Sequence, residues 1–529
     1  MKKNLSELLD SFEYDNISIQ NKDPIIQNLV FDSRQANSTS LFFALPGTHV
    51  HGNKFILSAV KNGAPAVVYQ DILSEEEKSQ ILKENENCIL IHVPDSRRAM
   101  APLAARFYDN PSKKLAVIGV TGTEGKSSTV SFIWQLLRLN GHKAGFISTV
   151  EYSLGDDALA NPQHQTTPEA PIVQERLHQM LQNGCEYAVI ESSSHGLSEK
   201  LFRLGHIDFD AAVFMNVTLE HLEFHKTFEN YRNDKANLFR ALDKSCHKKN
   251  ICGKECLVPA FGIVNTDDPS ADFFASCTKE PVYGFSCSQN SLKDKIIKTH
   301  SCDIKSSAQG IEFTLKTAEK SIKVKSPVAG TFNVYNVSAA ILTVSKITQT
   351  DEEIVAKKAE ELCGVKGRMF SVRQGQDFEV IIDYAHTPSS FKAIFPPLKE
   401  RAQGKIICVF GSGGERDLEK RPLQGEVAAM YSDIIILADE DPRGEDPVEL
   451  LQMIAKGAEK KGFENGKNLF IIPDRKKAIR EALKFAKSKD IVLLLGKSHE
   501  NSIIYKDYVM PYDETSEARA ALIELGYKK

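Results

Sequence analysis

Thr121-Gly122-Thr123-Glu124-Gly125-Lys126-Ser127 follows the apolar run Leu115-Ala116-Val117-Ile118-Gly119-Val120 and leads into a stretch of helical period. Strand, glycine-rich turn, Lys-Ser and helix is the order a phosphate site needs. Glycines let backbone N–H groups face an anion, and the helix N-terminus adds positive potential. In that arrangement Lys126 reaches the β- and γ-phosphates and Ser127 offers its hydroxyl to Mg²⁺. Gly122, Thr123, Glu124, Gly125, Lys126, Ser127 and Ser128 are the candidate phosphate-binding residues. The longer frame G-x-x-x-x-G-K-[ST] would require glycine at position 120, which is Val120. The motif says nucleotide; it does not separate kinase, ATPase and ligase.

Two further stretches hold metal-type residues. VIESSSHGL puts Glu191 at a strand end, and NVTLEHLEFHKTFENYRNDKANLF puts His221 after another strand and Lys235 on a helix. Oxygen ligands suit Mg²⁺, which keeps several waters and is shared with phosphates. Alone, His221 reads as a satisfied core histidine and Lys235 as a solvated helix lysine; only their placement beside Lys126 gives them chemistry. CHKKNICGKEC, with Cys246, His247, Cys252 and Cys256, loosely resembles zinc ligands but lacks a second paired half, so it reads as a surface insertion.

A scaffold must position these groups. At 529 residues the chain exceeds one ordinary core, and length points to three or four domains. A charged share of 26% and a hydrophobic share of 42% indicate a soluble globular protein, and a net charge of −4 leaves no nucleic-acid footprint. Residues Met1 to Asn16 contain no apolar signal core, no run approaches a membrane span, and the cysteines are scattered; a cytoplasmic protein without membrane insertion is expected.

PAVVYQ and NCILIHV read as strands of a first region that closes with a helix near Pro111. LAVIGVTG, EYAVIESSS and FDAAVFMNV are apolar runs between helices, which argues for a parallel sheet covered on both faces. Residues 281–328 alternate in hairpin fashion, so an antiparallel insert or side sheet is expected there. From near Gly364, KIICVFGSGG, DIIILADED, NLFIIPD and DIVLLLGKS read as strands ending in polar loops, where open α/β sheets bind ligands.

The loop T-G-T-x-G-K-[ST] resembles the shortened phosphate loop of the Mur ligase family. The resemblance runs the length of the chain and is nearest to the branch that adds a diamino acid to UDP-MurNAc-L-Ala-D-Glu. It implies an α/β fold of three domains: a UDP-MurNAc-binding domain over 1–112, a central P-loop ATPase domain with a parallel sheet over 113–364, and a Rossmann-like amino-acid-binding domain over 365–529. It implies ATP and Mg²⁺, with Lys126, Glu191, His221 and Lys235 as the catalytic set. Ser127 and Glu191 would hold one metal, and His221 with a carbamylated Lys235 the second. A bare ammonium would repel Mg²⁺, whereas a carbamate makes the same nitrogen carry an anionic oxygen ligand. GTFNVYN resembles a family segment that places Asn333 near the adenine. GVKGRMF gives Arg368 for the transferred phosphate, and DYAHTPSS gives Asp383 for the ribose with His386 nearby. Glu124 stands where relatives often carry Asn, and a carboxylate there must point outward.

The same resemblance assigns substrate contacts. DSRQANSTSLFFALPG resembles the uridine-binding start of this branch, with Ser33 and then Arg34. Thr166, Thr167 and Ser193 match positions that hold the muramoyl peptide, and Arg203 aligns with a substrate arginine across a segment about two residues longer than usual. In GSGGERDLEKRP, ADEDPRGEDP and GKSHE, Arg416 and Arg443 would clasp carboxylates, and Gly496 and Glu500 would address the far end. Arg443 favours an amino acid with a second carboxylate, meso-diaminopimelate; Asp441 replaces the usual Asn and adds a charge that suits L-lysine or L-ornithine. The implied partners are UDP-MurNAc-dipeptide and a free diamino acid, with no nucleic acid, and a monomer is expected. The rival readings are a folylpolyglutamate synthetase-like ligase, which lacks the uridine-binding domain, and a non-catalytic nucleotide-binding scaffold, which would tolerate loss of Glu191, His221 or Lys235.

Overall fold

The computed structural model describes residues 1–17, 22–47, 51–162, 165–218, 220, 222–288, 297–307 and 309–528. By contact the chain divides into two units. One comprises Met1–Cys302, Leu315–Ile322 and Tyr335–Lys358; the other comprises Asp303–Thr314, Lys323–Val334 and Ala359–Lys529. Among the described residues no helix is long and apolar enough to cross a membrane.

The first unit opens with a five-stranded sheet in the spatial order Asn16–Ile17, Ile89–His92, Ala66–Tyr69, Ser40–Phe43, Asn28–Val30. Its last four strands are parallel, and Asn16–Ile17 is antiparallel. Ser40–Phe43 and Ala66–Tyr69 are buried at every position, so they read as continuous apolar runs. The helix Ser96–Phe107 follows, capped by Asp95, which accepts from the N–H groups of Arg97 and Arg98.

Ala116–Thr121 lies at the centre of a second sheet, between the parallel strands Tyr187–Glu191 and Ala211–Phe214. Beyond Tyr187–Glu191 come Ala144–Ile147, parallel, and then the antiparallel strands Glu151–Ser153 and Leu159–Ala160. Beyond Ala211–Phe214 come Phe261–Asn265, Val282–Ser286 and Ile297–Ser307, all parallel, and then Gly310–Lys316 and Ser321–Ser326. The expectation of an antiparallel insert over 281–328 is thus corrected for its first part. Val282–Ser286 is almost wholly buried and continues the parallel sheet, whereas one-sided alternation appears in Gly310–Lys316 and Ser321–Ser326. The helix Lys126–Leu139 leaves the central strand through the phosphate loop, and the helix Phe228–Leu242 lies against that strand. Gly119 permits this approach: a Cβ there would sit 2.4 Å from Leu238 Cδ1 and 2.9 Å from Phe209 Cε1.

The second unit contains a six-stranded sheet in the order Phe370–Ser371, Glu379–Asp383, Ile491–Leu495, Ile406–Phe410, Ile434–Leu437, Leu469–Ile471. Only Phe370–Ser371 is antiparallel. Helices cover both faces. Phe391, Phe395, Leu451 and Ile454 fill one core, and Ile479, Leu483, Ala518 and Leu522 the other. The carboxyl ends Asp383, Phe410, Leu437 and Leu495 therefore open into the polar loops singled out in the sequence.

Candidate active site

Val120 is buried inside the central strand, which runs on through Thr121, so the loop turns from Gly122. Gly125 has φ +81°, and a Cβ on it would lie 2.5 Å from Asn336 Oδ1. The Thr129 hydroxyl donates to that same oxygen at 3.2 Å. Asn336 therefore shapes the loop. Asn333 of the same segment donates its side-chain amide to Ala329 O at 2.7 Å. The Lys126 ammonium folds back on Thr123 O at 2.7 Å. Glu124 is exposed, as a carboxylate here must be, while its N–H donates to Asn216 Oδ1 at 2.8 Å. Ser128 is buried in the helix.

Glu191 ends its strand at 1% exposure. Its carboxylate accepts from Ser127 Oγ at 2.9 and 3.1 Å, Ser148 Oγ at 2.6 Å and the Thr149 N–H at 2.9 Å. All three donors are neutral. A buried carboxylate held by neutral groups favours a cation beside it, and the Ser127–Glu191 oxygen pair has the hard donor set of Mg²⁺. Ser148 and Thr149 were missed because serine and threonine after a strand carry no distinctive spacing.

Lys235 is fully buried, with its ammonium donating to Gly122 O at 2.6 Å and 4.5 Å from the Tyr231 ring centre. Burial, with the Lys126 charge nearby, holds its pKa well below the ordinary lysine range, which favours a neutral amine. Tyr231 also places its hydroxyl 3.1 Å from Thr123 Oγ1. His221 lies outside the described residues. Four residues on, His225 is buried, with Nδ1 2.7 Å from Asp234 and Nε2 3.0 Å from Ser194 Oγ. It was overlooked although its partner Asp234 adjoins Lys235 in the stretch already quoted. Among the described residues, no group of three or more His, Cys, Asp or Glu side chains is arranged to hold a metal.

Thr167 and Ser193 meet through their hydroxyls at 2.9 Å, and Thr167 donates to Glu191 O at 3.0 Å. Thr166 sits beside them, half-buried. Arg203 reaches the same corner, donating to Thr167 O at 3.2 Å and to Glu169 at 2.8 Å. Beside the N-terminal sheet, a cavity of 550 Å³ is lined by Phe31, Asp32, Ser33, Arg34 and Phe55 among others. Ser33 is buried at its wall; Arg34 is exposed and paired with Asp32 at 2.7 Å.

The cysteine-rich insertion forms a hairpin, Lys248–Ile251 with Lys254–Leu257, that leaves Cys246, Cys252 and Cys256 exposed. Both His247 nitrogens are engaged, by Asp210 at 2.9 Å and Leu242 O at 3.0 Å. Lys249 is buried against Asp210, whose carboxylate also accepts from the Val117 N–H of the central strand at 2.8 Å. The hairpin is a docked insertion.

In the second unit, Asp383 is buried and accepts from the N–H groups of Met369 at 2.7 Å and Ala385 at 2.8 Å; burial pushes its carboxyl up against the pull of Arg368. Arg368 stacks 4.8 Å from the Tyr384 ring centre, and His386 Nδ1 is 2.8 Å from Tyr384 O. Lys497, unremarked in the sequence, is buried between two predicted pocket residues: its ammonium donates to Asp441 at 2.8 Å and Glu500 at 2.5 Å. Arg443 has φ +53° and donates its N–H to Ile504 O at 3.0 Å. Gly496 has φ +96°, and a Cβ there would lie 2.8 Å from Glu440 Oε2. Arg416 is exposed.

A phosphate loop, a buried lysine held over it and parallel sheets with helices on both faces define an α/β protein of the P-loop nucleotide-binding class. Three family models match along the chain: "Mur ligase family, catalytic domain" over residues 25–108, "Mur ligase middle domain" over 120–344, and "Mur ligase, glutamate ligase domain" over 367–498. The UDP-N-acetylmuramyl-tripeptide synthetase of Treponema denticola is 51% identical, over 98% of each chain. The UDP-N-acetylmuramoyl-L-alanyl-D-glutamate--2,6-diaminopimelate ligase of Geobacillus kaustophilus is 38% identical, over 95% of this chain and 96% of its own. A solved structure of a ligase with that same description superposes with a TM-score of 0.64, at 27% identity and full coverage of both chains. The chain belongs to the Mur ligase family: it has the family's three-domain α/β fold and is an ATP-dependent acid–amino-acid ligase of peptidoglycan precursor synthesis.

Proposed function

We propose that the chain adds a diamino acid to UDP-N-acetylmuramoyl-L-alanyl-D-glutamate through an acyl phosphate. The observation that carries this reading is the convergence of Lys126, Lys235 and the Ser127–Glu191 pair on one short loop. A carboxylate is a poor electrophile because its leaving group would be oxide, and phosphorylation by ATP supplies a better one. The loop N–H groups and Lys126 orient the transferred phosphate and neutralise its charge. Mg²⁺, held by Ser127 and Glu191, would supply further charge neutralisation at the phosphoryl oxygens. The buried neutral amine of Lys235 is suited to take up carbon dioxide as a carbamate, and with His221 it would hold a second ion. Thr166, Thr167, Ser193 and Arg203 orient the muramoyl peptide so that its γ-carboxylate meets the phosphate. The diamino acid's amine then attacks the acyl carbon, and phosphate leaves from the tetrahedral intermediate.

Ser33 and Arg34 are assigned to the uridine, and Asn333, Arg368, Asp383 and His386 to the nucleotide. Arg416, Asp441, Arg443, Gly496 and Glu500 are assigned to the amino acid. The modules are 1–112, 113–364 and 365–529, in a cytoplasmic enzyme that acts as a monomer. Arg443 supports meso-diaminopimelate as the amino acid; Asp441 and Glu500, which already clamp the Lys497 ammonium, leave L-lysine and L-ornithine as the alternatives. Phosphate release should depend on both UDP-MurNAc-dipeptide and one of these three amino acids, assayed side by side; release that needs neither would sink the reading. Lys235→Ala should lower ligation by about 10²-fold or more, and a short-chain carboxylic acid should partly restore it. Full activity in that variant would remove the carbamate.

A further inference from the structure

Two arginines that this chemistry does not use have fully buried side chains in the second unit, Arg421 and Arg475. A buried guanidinium is tolerated only when its donors are matched. Arg475 is matched by one glutamate and two strand-end carbonyls; Arg421 has one glutamate and one carbonyl on its Nη groups, while its buried Nε has no hydrogen-bond partner among the described residues. Arg475 grips Glu514 through Nε at 2.9 Å and Nη2 at 2.6 Å, and Tyr512 donates its hydroxyl to the same carboxylate. Its Nη2 also donates to Leu495 O at 2.7 Å and its Nη1 to Asp439 O at 3.3 Å. Leu495 directly precedes Gly496, and Asp439 directly precedes Glu440 and Asp441. Arg421 grips Glu445 at 2.7 and 2.9 Å and donates to Gly413 O at 3.3 Å. Gly413 lies in the loop that carries Arg416, and Glu445 in the loop that carries Arg443.

We infer that Arg421–Glu445 and Arg475–Glu514 are positioning pairs that set the spacing of the three loops assigned to the diamino acid. Arg421 ties the first loop to the second, and Arg475 ties the second to the third. The inference rests on the reading that these loops hold the amino acid. A guanidinium is a rigid planar fork, so bridging two partners fixes their separation; a lysine ammonium on a flexible stem does not. The loops are close enough for that separation to matter. The Gly414 N–H donates to Asp441 O at 2.8 Å, and a Cβ on Gly414 would sit 2.0 Å from Pro442 O.

The test is steady-state kinetics of full-length Arg421→Lys and Arg475→Lys, varying each substrate in turn, with whichever of meso-diaminopimelate, L-lysine and L-ornithine the wild type incorporates. KM for the amino acid should rise about tenfold or more, while KM for ATP and for UDP-MurNAc-dipeptide stays within about twofold. Should a lysine variant fail to fold, the neutral pairs Arg475→Met with Glu514→Gln and Arg421→Met with Glu445→Gln leave no unpaired buried charge and are read the same way. A lower melting temperature with an unchanged amino-acid KM would mean a merely structural role and would overturn the inference. Arg443→Ala separates the two levels. If it leaves the amino-acid KM unchanged, the loop assignment itself fails; if it raises that KM while the arginine variants do not, only the positioning inference fails.

Discussion

Lys126 and Lys235 turn their ammonium groups onto carbonyls of the same short loop, Thr123 O and Gly122 O, from two different helices. A carbonyl is a weaker partner for an ammonium than an anion, so the Lys126 ammonium is free to be drawn to a phosphate. His499 shows the opposite economy. Burial, with Arg368, Lys497, Lys366 and His386 around it, pushes its imidazole down to about 3. The unfolded chain takes up that proton near the ordinary histidine value of 6.5, which the folded chain refuses, so stability falls as pH drops through the window from 6.5 to about 3. His499→Gln should flatten this loss: between pH 7 and pH 4, its urea midpoint should fall less than that of the wild type. An equal fall in both would show that His499 does not carry the acid sensitivity. At this scale Lys126 was legible from its own loop, whereas Glu191 and Lys235 gained a role only through the family resemblance, since Lys235 alone reads as a solvated helix lysine. Their partners were not: Ser148 arrives from a distant segment, and Asn336 and Lys497 stand in quoted stretches but show their contacts, with Thr129 and with Asp441, only once the chain is folded.

At the scale of elements, the helix Phe228–Leu242 delivers Lys235 to the loop because Gly119 leaves room for Leu238. Gly119→Val should force the helix outward, costing about 1–3 kcal/mol of stability by overpacking. Ligation should fall further than that loss of folded protein explains, since Lys235 moves off the loop. Thermal melts and specific activity of the same preparation check both, and unimpaired activity would separate helix position from catalysis. The buried parallel strands were readable as apolar runs bounded by turns. Residues 281–328 misled because the exposed alternation of Gly310–Lys316 and Ser321–Ser326 was extended back over Val282–Ser286, which has both faces covered. Gly119 itself looked like an ordinary strand residue; what it faces is known only once the helix is in place.

Over the whole molecule, all ten cysteines are free thiols, and three are buried: Cys88 and Cys185 in the first unit and Cys408 in the second. Burial pushes these thiols up to about 12, about 11 and about 12. Pulse labelling of the native chain should modify Cys246, Cys252, Cys256 and Cys363 at least ~10²-fold faster than these three, by both exposure and thiolate fraction. Denaturant should release Cys88 and Cys185 with one unit and Cys408 with the other, which peptide mapping by mass spectrometry resolves. Rapid native labelling of Cys408 would mean that its core opens freely. One more consequence follows from the hairpin Lys248–Leu257. Its Lys249 supplies the counter-charge for Asp210, and Asp210 holds the strand that feeds the phosphate loop. An appendage that could be trimmed in a shortened variant is in fact a footing for the strand that enters the phosphate loop: excising it would leave the buried Asp210 carboxylate with only His247 and the Val117 N–H, and weaken the fold at a place remote from that loop.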